Sequence, residues 1–495
     1  MIGHKYINRL FVRIFALTVA IFFIFQTLGC AVNPATGERS FTLLSAEDEI
    51  RIGKEEHPKL VSAFGGLYED IKIQSYVSSI GHLLHSTSEM SNIPFRFVVL
   101  DTSIVNAFAL PGGYIHVSRG LIALANDEAE LAGVLAHEIG HVTARHPAQR
   151  QSRGFLAGLT TGVLGAIIGS QPITEIGNIF ADAYVQSYSR DQEFEADNLG
   201  VRYLARAGYD PFAMSSFLSA MSEEHSLQAT IFNKKNPNDE FGLFSSHPRT
   251  IHRINRAAEA ASKIYQHARS RDREQFLRKI DGIIWGPSKS EGFIENLNFY
   301  HPILGFKFTA PSGFTLKKFS RTISGFNKNG ASMKFDGHRL TDRSITTSEY
   351  IKKIWLPKIN LKNMEYLDID SIEAVTATGL IKVKGGYSNS RFVVIRWGDN
   401  YVYRFIFTNP LGKPSLMDSK FKESALSFRR ISVEEAKQFA PLRIRIIKVK
   451  YGDTYEELSM RMQVNKYKKE WFNVLNRLNP DSTIVPGQLV KIIMH

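Results

Sequence analysis

Between Asp127 and Pro147 apolar residues recur at helical spacing, with Leu131, Val134, Leu135, Ile139 and Val142 along one side. Inside that run stands His137-Glu138-Ile139-Gly140-His141. Histidines four apart lie one turn apart on one helix face, so both imidazoles can point at one ion. Glu138 is turned about 100° round the axis from His137. It would sit beside such an ion, where a carboxylate can take a proton from water. This motif constrains the fold more than any other feature. A reactive zinc site needs three protein ligands and one open position, so a helix bearing two of them must meet a further ligand from elsewhere in the chain. Asp127 with Glu130 three residues on marks the helix start, and Pro147 is expected to mark its end.

A third histidine in the pattern His-x-x-Gly-x-x-His does not follow His141. Position 144 is alanine, position 147 is proline, and His146 falls one residue short. A glutamate is available downstream, in Ser189-Arg190-Asp191-Gln192-Glu193-Phe194-Glu195-Ala196-Asp197. Glu193 and Asp197 are one turn apart on a helix expected from near Asp191 through Leu204 to Gly208. A ligand carboxylate and a carboxylate that holds a ligand histidine in its tautomer can therefore share a face. Glu195 is the rival, but it points away from that pair.

A chain of 495 residues with 43% hydrophobic and 22% charged residues exceeds one compact core, so several folded domains are expected. A helix over about 46–56 stops at Pro58, strands follow over 94–118, a third helix opens at Asp210-Pro211, and helical character returns near 247–280. Residues 30–285 thus read as a helix-dominated domain with a small sheet. The uncharged, glycine-bearing stretch 154–174 is short for a membrane span and is expected to pack over the site. Trp285-Gly286-Pro287-Ser288 reads as a linker. Beyond it the period becomes two, and Arg391–Trp397 and Tyr401–Phe407 flank a Gly398-Asp399-Asn400 turn as a hairpin. Residues 290–432 read as a separate α+β domain without catalytic signature. The final unit, 442–494, reads strand, helical pattern, strand. The fold class expected is multidomain α+β.

Residues 1–29 carry Lys5, Arg9 and Arg13, no acid, and an apolar run from Ile14 to Phe25. That is the layout of a secretory signal rather than a spanning helix. Cys30, the single cysteine, follows Leu28-Gly29 in a segment that resembles a bacterial lipobox, with Thr27 where leucine is usual. The resemblance implies acylation of Cys30, and Ala31 after it implies the outer membrane, facing the periplasm. The formal charge of +13 then fits anionic envelope polymers and lipid headgroups rather than nucleic acid.

His-Glu-x-x-His followed by Ser-Arg-x-x-Glu-x-x-Ala-Asp resembles the gluzincin metallopeptidase family that includes the CaaX prenyl endopeptidase and periplasmic BepA. The resemblance covers about residues 31–280 and favours the BepA-like branch. It implies that His137, His141 and Glu193 bind one zinc per chain, that Glu138 is general base and acid, and that Asp197 supports a ligand. Asn106, Ala107, Phe108 and Ala109, in a stretch running on to Gly113, are similar to the family's strand along which a peptide substrate adds. Ser246-His247-Pro248, with Arg253 six residues after the histidine, resembles a motif that brings a histidine to the metal. His247 would be a fourth ligand in a resting state or an oxyanion donor when displaced, and Arg253 would hold a substrate carbonyl. His146 and His116 are expected to be structural.

Residues 442–494 resemble a LysM module, through Gly452-Asp453-Thr454, Leu475-Asn476 and Pro486-Gly487-Gln488-Leu489-Val490. The resemblance implies a βααβ fold and peptidoglycan as a partner, with a purely structural cap as the alternative. Three functions stay open on the sequence. They are an envelope endopeptidase acting on misfolded or unassembled proteins, a wall-binding chaperone-like lipoprotein with latent or lost proteolysis, and a murein hydrolase.

Overall fold

The computed structural model describes residues 30–154, 187–231, 247, 251–264, 269–319, 322–383, 386–413, 416–479 and 481–495. The signal expected at 1–29, most of the stretch 154–174, and Ser246 and Pro248 beside His247 lie outside the described residues.

A hairpin of β1 (Cys30–Val32) and β2 (Arg39–Phe41) precedes α1 (Ala46–Ala63) and α2 (Ile71–Ser86). Pro58 was expected to break α1, yet the helix runs on through it. Proline forfeits one backbone hydrogen bond. The buried face of Gly53, Glu56 and Leu60 holds the helix across that gap. A three-stranded sheet follows from β3 (Arg96–Leu100), β4 (Ala107–Leu110) and β5 (Tyr114–Ser118), in the order β3-β5-β4. β5 runs parallel to β3 and antiparallel to β4, which leaves β4 at the edge.

Next come α3 (Arg119–Leu124) and α4 (Glu128–Thr143), every residue of α4 being buried. α4 ends at Thr143, with Arg145 in the left-handed region at φ 58°. Helical residues resume at 146–154, so Pro147 sits at the opening of the next helix instead of stopping α4. α5 (Arg190–Arg206) starts with a reciprocal capping box between Ser189 and Gln192. It packs against α4 through glycines. A methyl group on Gly140 would meet the Ala196 carbonyl oxygen at 3.0 Å, and one on Gly200 would meet the His137 nitrogen at 3.1 Å. α6 (Ala213–Ile231), α7 (Ile251–Ile264) and α8 (Arg273–Ile280) complete the helical layer.

The segment read as a linker is fastened at both sides. Ile284–Trp285 forms β6, and the fully buried Arg119 donates to the carbonyls of Ile284 (3.1 Å) and Gly286 (2.7 Å). Arg119 also pairs with Asp101 (2.6 Å) and with Glu291. Beyond it, β7 (Phe293–Glu295), β8 (Asn298–His301), β9 (Phe306–Thr309) and the later β17 (Arg429–Arg430) make a four-stranded sheet. A seven-stranded antiparallel sheet comprises β10 (Thr315–Phe319), β11 (Thr322–Phe326), β12 (Ser332–Arg339), β13 (Lys362–Ile369), β14 (Ile372–Val383), β15 (Gly386–Arg396) and β16 (Tyr401–Thr408). β15 and β16 form the hairpin expected around Gly398-Asp399-Asn400. Phe306, Phe308, Phe335 and Phe405 fill one core, joined by Phe421 from α9 (Asp418–Leu426).

The tail runs β18 (Leu442–Lys448), α10 (Tyr455–Met460), α11 (Lys468–Asn476) and β19 (Leu489–Met494). Its sheet has the order β19-β18-β6, so the third strand comes from residues 284–285. Trp285 meets Trp471 edge-on at 5.1 Å. Ile444, Phe472, Val490 and Ile492 belong to the same apolar core as Leu131 and Phe276. Lys491 is buried, and its Nζ donates to the carbonyls of Ala123 (2.9 Å), Leu124 (3.2 Å) and Ala125.

Candidate metal centre

α4 turns His137 and His141 to one side. The two rings stand 4.6 Å apart at 83°, with their Nε2 atoms separated by 3.0 Å. The glycine contacts bring α5 close enough for Glu193 to reach both, at 3.6 Å from His137 Nε2 and 3.5 Å from His141 Nε2. His247 closes the group. Its Nδ1 lies 2.9 Å from Glu193 Oε1 and 3.2 Å from His137 Nε2. One ligand atom from each of the four falls within 4.8 Å of all the others, and all four residues are buried.

The far side of each ring decides what the near side offers. His137 Nδ1 lies 2.9 Å from Asp197 Oδ1 and His141 Nδ1 lies 2.9 Å from His146 Nδ1. With a proton on each Nδ1, both Nε2 atoms present lone pairs to the same point, where they would repel unless a cation lay between them. Two imidazole nitrogens and a carboxylate are a zinc donor set, and the residues fit that ion.

Glu138 is fully buried, and neither of its oxygens has a hydrogen-bond partner among the described residues. His247 Nε2 stands 3.5 Å from its Oε1. Burial pushes the Glu138 carboxyl above the usual carboxylate range, against the pull of His247 and His137. Burial acts the same way on Glu193, but the charges of Arg253 and His247 overcome it and hold that carboxyl low. Asp197, also buried, is held well below its ordinary value by Arg253 and by its bond with His137.

Arg253, expected to hold a substrate carbonyl, pairs here with two carboxylates. Its Nε and one terminal nitrogen donate to Asp197, each at 2.8 Å, and the other terminal nitrogen lies 2.6 Å from Glu193 Oε2. The guanidinium is buried because two buried carboxylates need its charge. Glu195 turns away from the ion-facing group to His146 (3.2 Å) and Asn33 (2.6 Å). His116, on β5, is fully buried beside His57 at 2.9 Å and under Phe108, away from the four-residue cluster. Asn106 is buried just before β4, and Ala107, Phe108 and Ala109 lie on that edge strand, beside α4. Sequence reasoning missed Tyr188, whose ring stacks on His141 at 4.0 Å. It also missed Asn33. Only the place of Tyr188 next to the Ser189 cap hinted at the first, and nothing local marked the second.

Residues 72–261 match the model of peptidase family M48. This segment is an M48 peptidase domain. The chain is 29% identical over 256 residues to the beta-barrel assembly-enhancing protease of Yersinia pestis, covering 50% of this chain and 51% of that protein. It is 30% identical over 200 residues to the protein of the same name from Escherichia coli (strain K12), covering 39% and 41%. It is 36% identical over 127 residues to the mitochondrial metalloendopeptidase OMA1 of Arabidopsis thaliana, covering 26% and 25%. The chain therefore spans about half the length, or less, of these relatives.

Proposed function

We propose that the chain is a zinc-dependent endopeptidase of the bacterial envelope, held quiet by His247 until a polypeptide enters. The observation that carries this reading is a buried carboxylate, Glu138, which has no hydrogen-bond partner among the described residues and is set beside four converging ligand groups. His137, His141 and Glu193 would hold the ion. Zinc there would supply Lewis acidity to a peptide carbonyl and acidify water. Glu138, raised by burial, would take a proton from the attacking water and return it to the leaving amine. Asp197 keeps the proton of His137 on Nδ1, and Arg253 balances the charge of Asp197 and Glu193. An extended peptide would pair with edge strand β4, which favours cleavage of polypeptides over cleavage of murein.

His247 makes a latent state the natural resting form, because Nδ1 shares the donor cluster while Nε2 faces Glu138. Anchoring through an acylated Cys30 at the outer membrane, in the periplasm, rests on the residue pattern of 1–30. Misfolded or unassembled envelope proteins are the proposed substrates, in keeping with what the relatives are named for. The tail has the βααβ order of a LysM module, which supports wall binding through 442–494. The test is Glu138→Gln. It should abolish cleavage of an unfolded protein while one zinc per chain remains by metal analysis, and His247→Ala should raise cleavage above wild type. Full activity in zinc-free wild type would sink the reading.

A further inference from the structure

Two ligand histidines of one site are supported in different ways. His137 meets a carboxylate directly, through Asp197. His141 meets another imidazole, that of His146, which is 1% exposed and stands beyond the end of α4, at the opening of the next helix. Once Nε2 of His141 is given to an ion, the polarity of everything behind it is fixed. The proton of His141 must sit on Nδ1 and be donated to His146 Nδ1. His146 then carries its own proton on Nε2, donated to Glu195 Oε2 at 3.2 Å. The other oxygen of Glu195 accepts from Asn33 Nδ2 at 2.6 Å.

Asn33 is itself locked. Its Oδ1 accepts from the backbone nitrogens of Ala35 (2.9 Å) and Thr36 (3.3 Å), so only its amide nitrogen is left to face Glu195. It is 3% exposed, in the turn between β1 and β2. Each member of the row has one orientation that satisfies both neighbours.

We infer that His146 is a positioning residue which, with Glu195 and Asn33, fixes the tautomer and ring angle of His141 and so sets how tightly the site holds its ion. The inference rests on the reading that His137, His141 and Glu193 bind zinc. It ties the hairpin that begins at Cys30 to the strength of the metal site, His141 lying 108 residues beyond Asn33. Partners behind a ligand histidine commonly contribute about 10–100-fold in metal affinity.

The test is competition for zinc between the full chain and a chromophoric chelator. His146→Leu should bind zinc about 10–100-fold more weakly than wild type. His146→Gln should recover most of the loss, because its amide can accept from His141 and donate to Glu195. Glu195→Gln and Asn33→Ala should give progressively smaller losses. Thermal unfolding of the zinc-free proteins separates this from general damage, since the Leu and Gln variants should unfold alike. Leu and Gln variants that bind equally would overturn the inference. If His146→Leu does not fold, unchanged affinity in Glu195→Gln would overturn it. Wild type that binds no zinc would remove the site reading itself, which distinguishes the two failures.

Discussion

Burial alone does not make a histidine a ligand, and His116 illustrates why. It is as buried as His141, but among the described residues it faces His57 and Phe108 and no carboxylate. Burial, then the positive potential of His57, pulls it down to about 3. In the unfolded chain the same group titrates near 6.5. Between about pH 3 and 6.5 the unfolded state binds a proton that the folded state refuses. Stability therefore rises with pH through that window and is complete above it. The expected cost at pH 5 relative to pH 7 is about 2 kcal/mol. Urea unfolding at the two pH values should show His116→Phe losing less than wild type by that amount. At the same scale, Glu193 was legible because the spacing from Glu193 to Asp197 is local and a helix fixes it. The destination of Arg253 was not. A lone arginine on an amphipathic helix gives no sign that its partners are carboxylates on another helix, 56 residues back in the case of Asp197.

Elements α4 and α5 meet where side chains are missing. Gly140 and Gly200 let the two backbones approach, and that approach carries Glu193 to the histidines. Gly140→Ala would place a methyl group 3.0 Å from the Ala196 oxygen and 3.2 Å from Leu199 Cβ. Both are rigid neighbours, so α5 must shift. We expect a loss of about 1–3 kcal/mol in stability. Zinc should also bind more weakly, read by chemical unfolding and chelator competition on the same protein. An alanine in a helix interior would otherwise be favourable. The start of α4 was read correctly where Asp127 announces it, the start of α5 was placed near Asp191 although Ser189 caps it, and the reading failed where proline was taken for a stop. Pro58 is tolerated inside α1 because of what the opposite face buries. Pro147 opens a helix because its missing N–H is not needed there. Neither fact is visible from the proline alone.

At the scale of the whole molecule, the tail is bound into the peptidase layer by a polar clamp as well as by apolar packing. Lys491 caps the end of α3, and Arg477 reaches Glu130 at 3.0 Å near the start of α4. Lys491→Met keeps the length of the side chain but leaves three buried carbonyls without their donor. We expect a loss of about 1–3 kcal/mol, measured by the unfolding midpoint in guanidinium, with zinc content unchanged at pH 7. Turn signals marked a strand, a helical pattern and a closing strand in the tail, and the order β18-α10-α11-β19 agrees with the βααβ order that the resemblance implied. The turn signals did not reveal that its sheet borrows Ile284–Trp285, because Gly286-Pro287 beside those residues looks like the start of a loop.

The clamp spans a great length of chain, since Lys491 and Ala125 are 366 residues apart in sequence. Contacts of such long range are slow to form, because the intervening loop must first be closed. The helix bearing His137 and His141 is made well before the strand that seals the core beneath it. A chain still emerging from the ribosome would hold His137 and His141 without the packing that sets them. Maturation of the site would thus be timed by the arrival of residues 489–494. Until then an unfinished chain would lack the packed site that cutting requires.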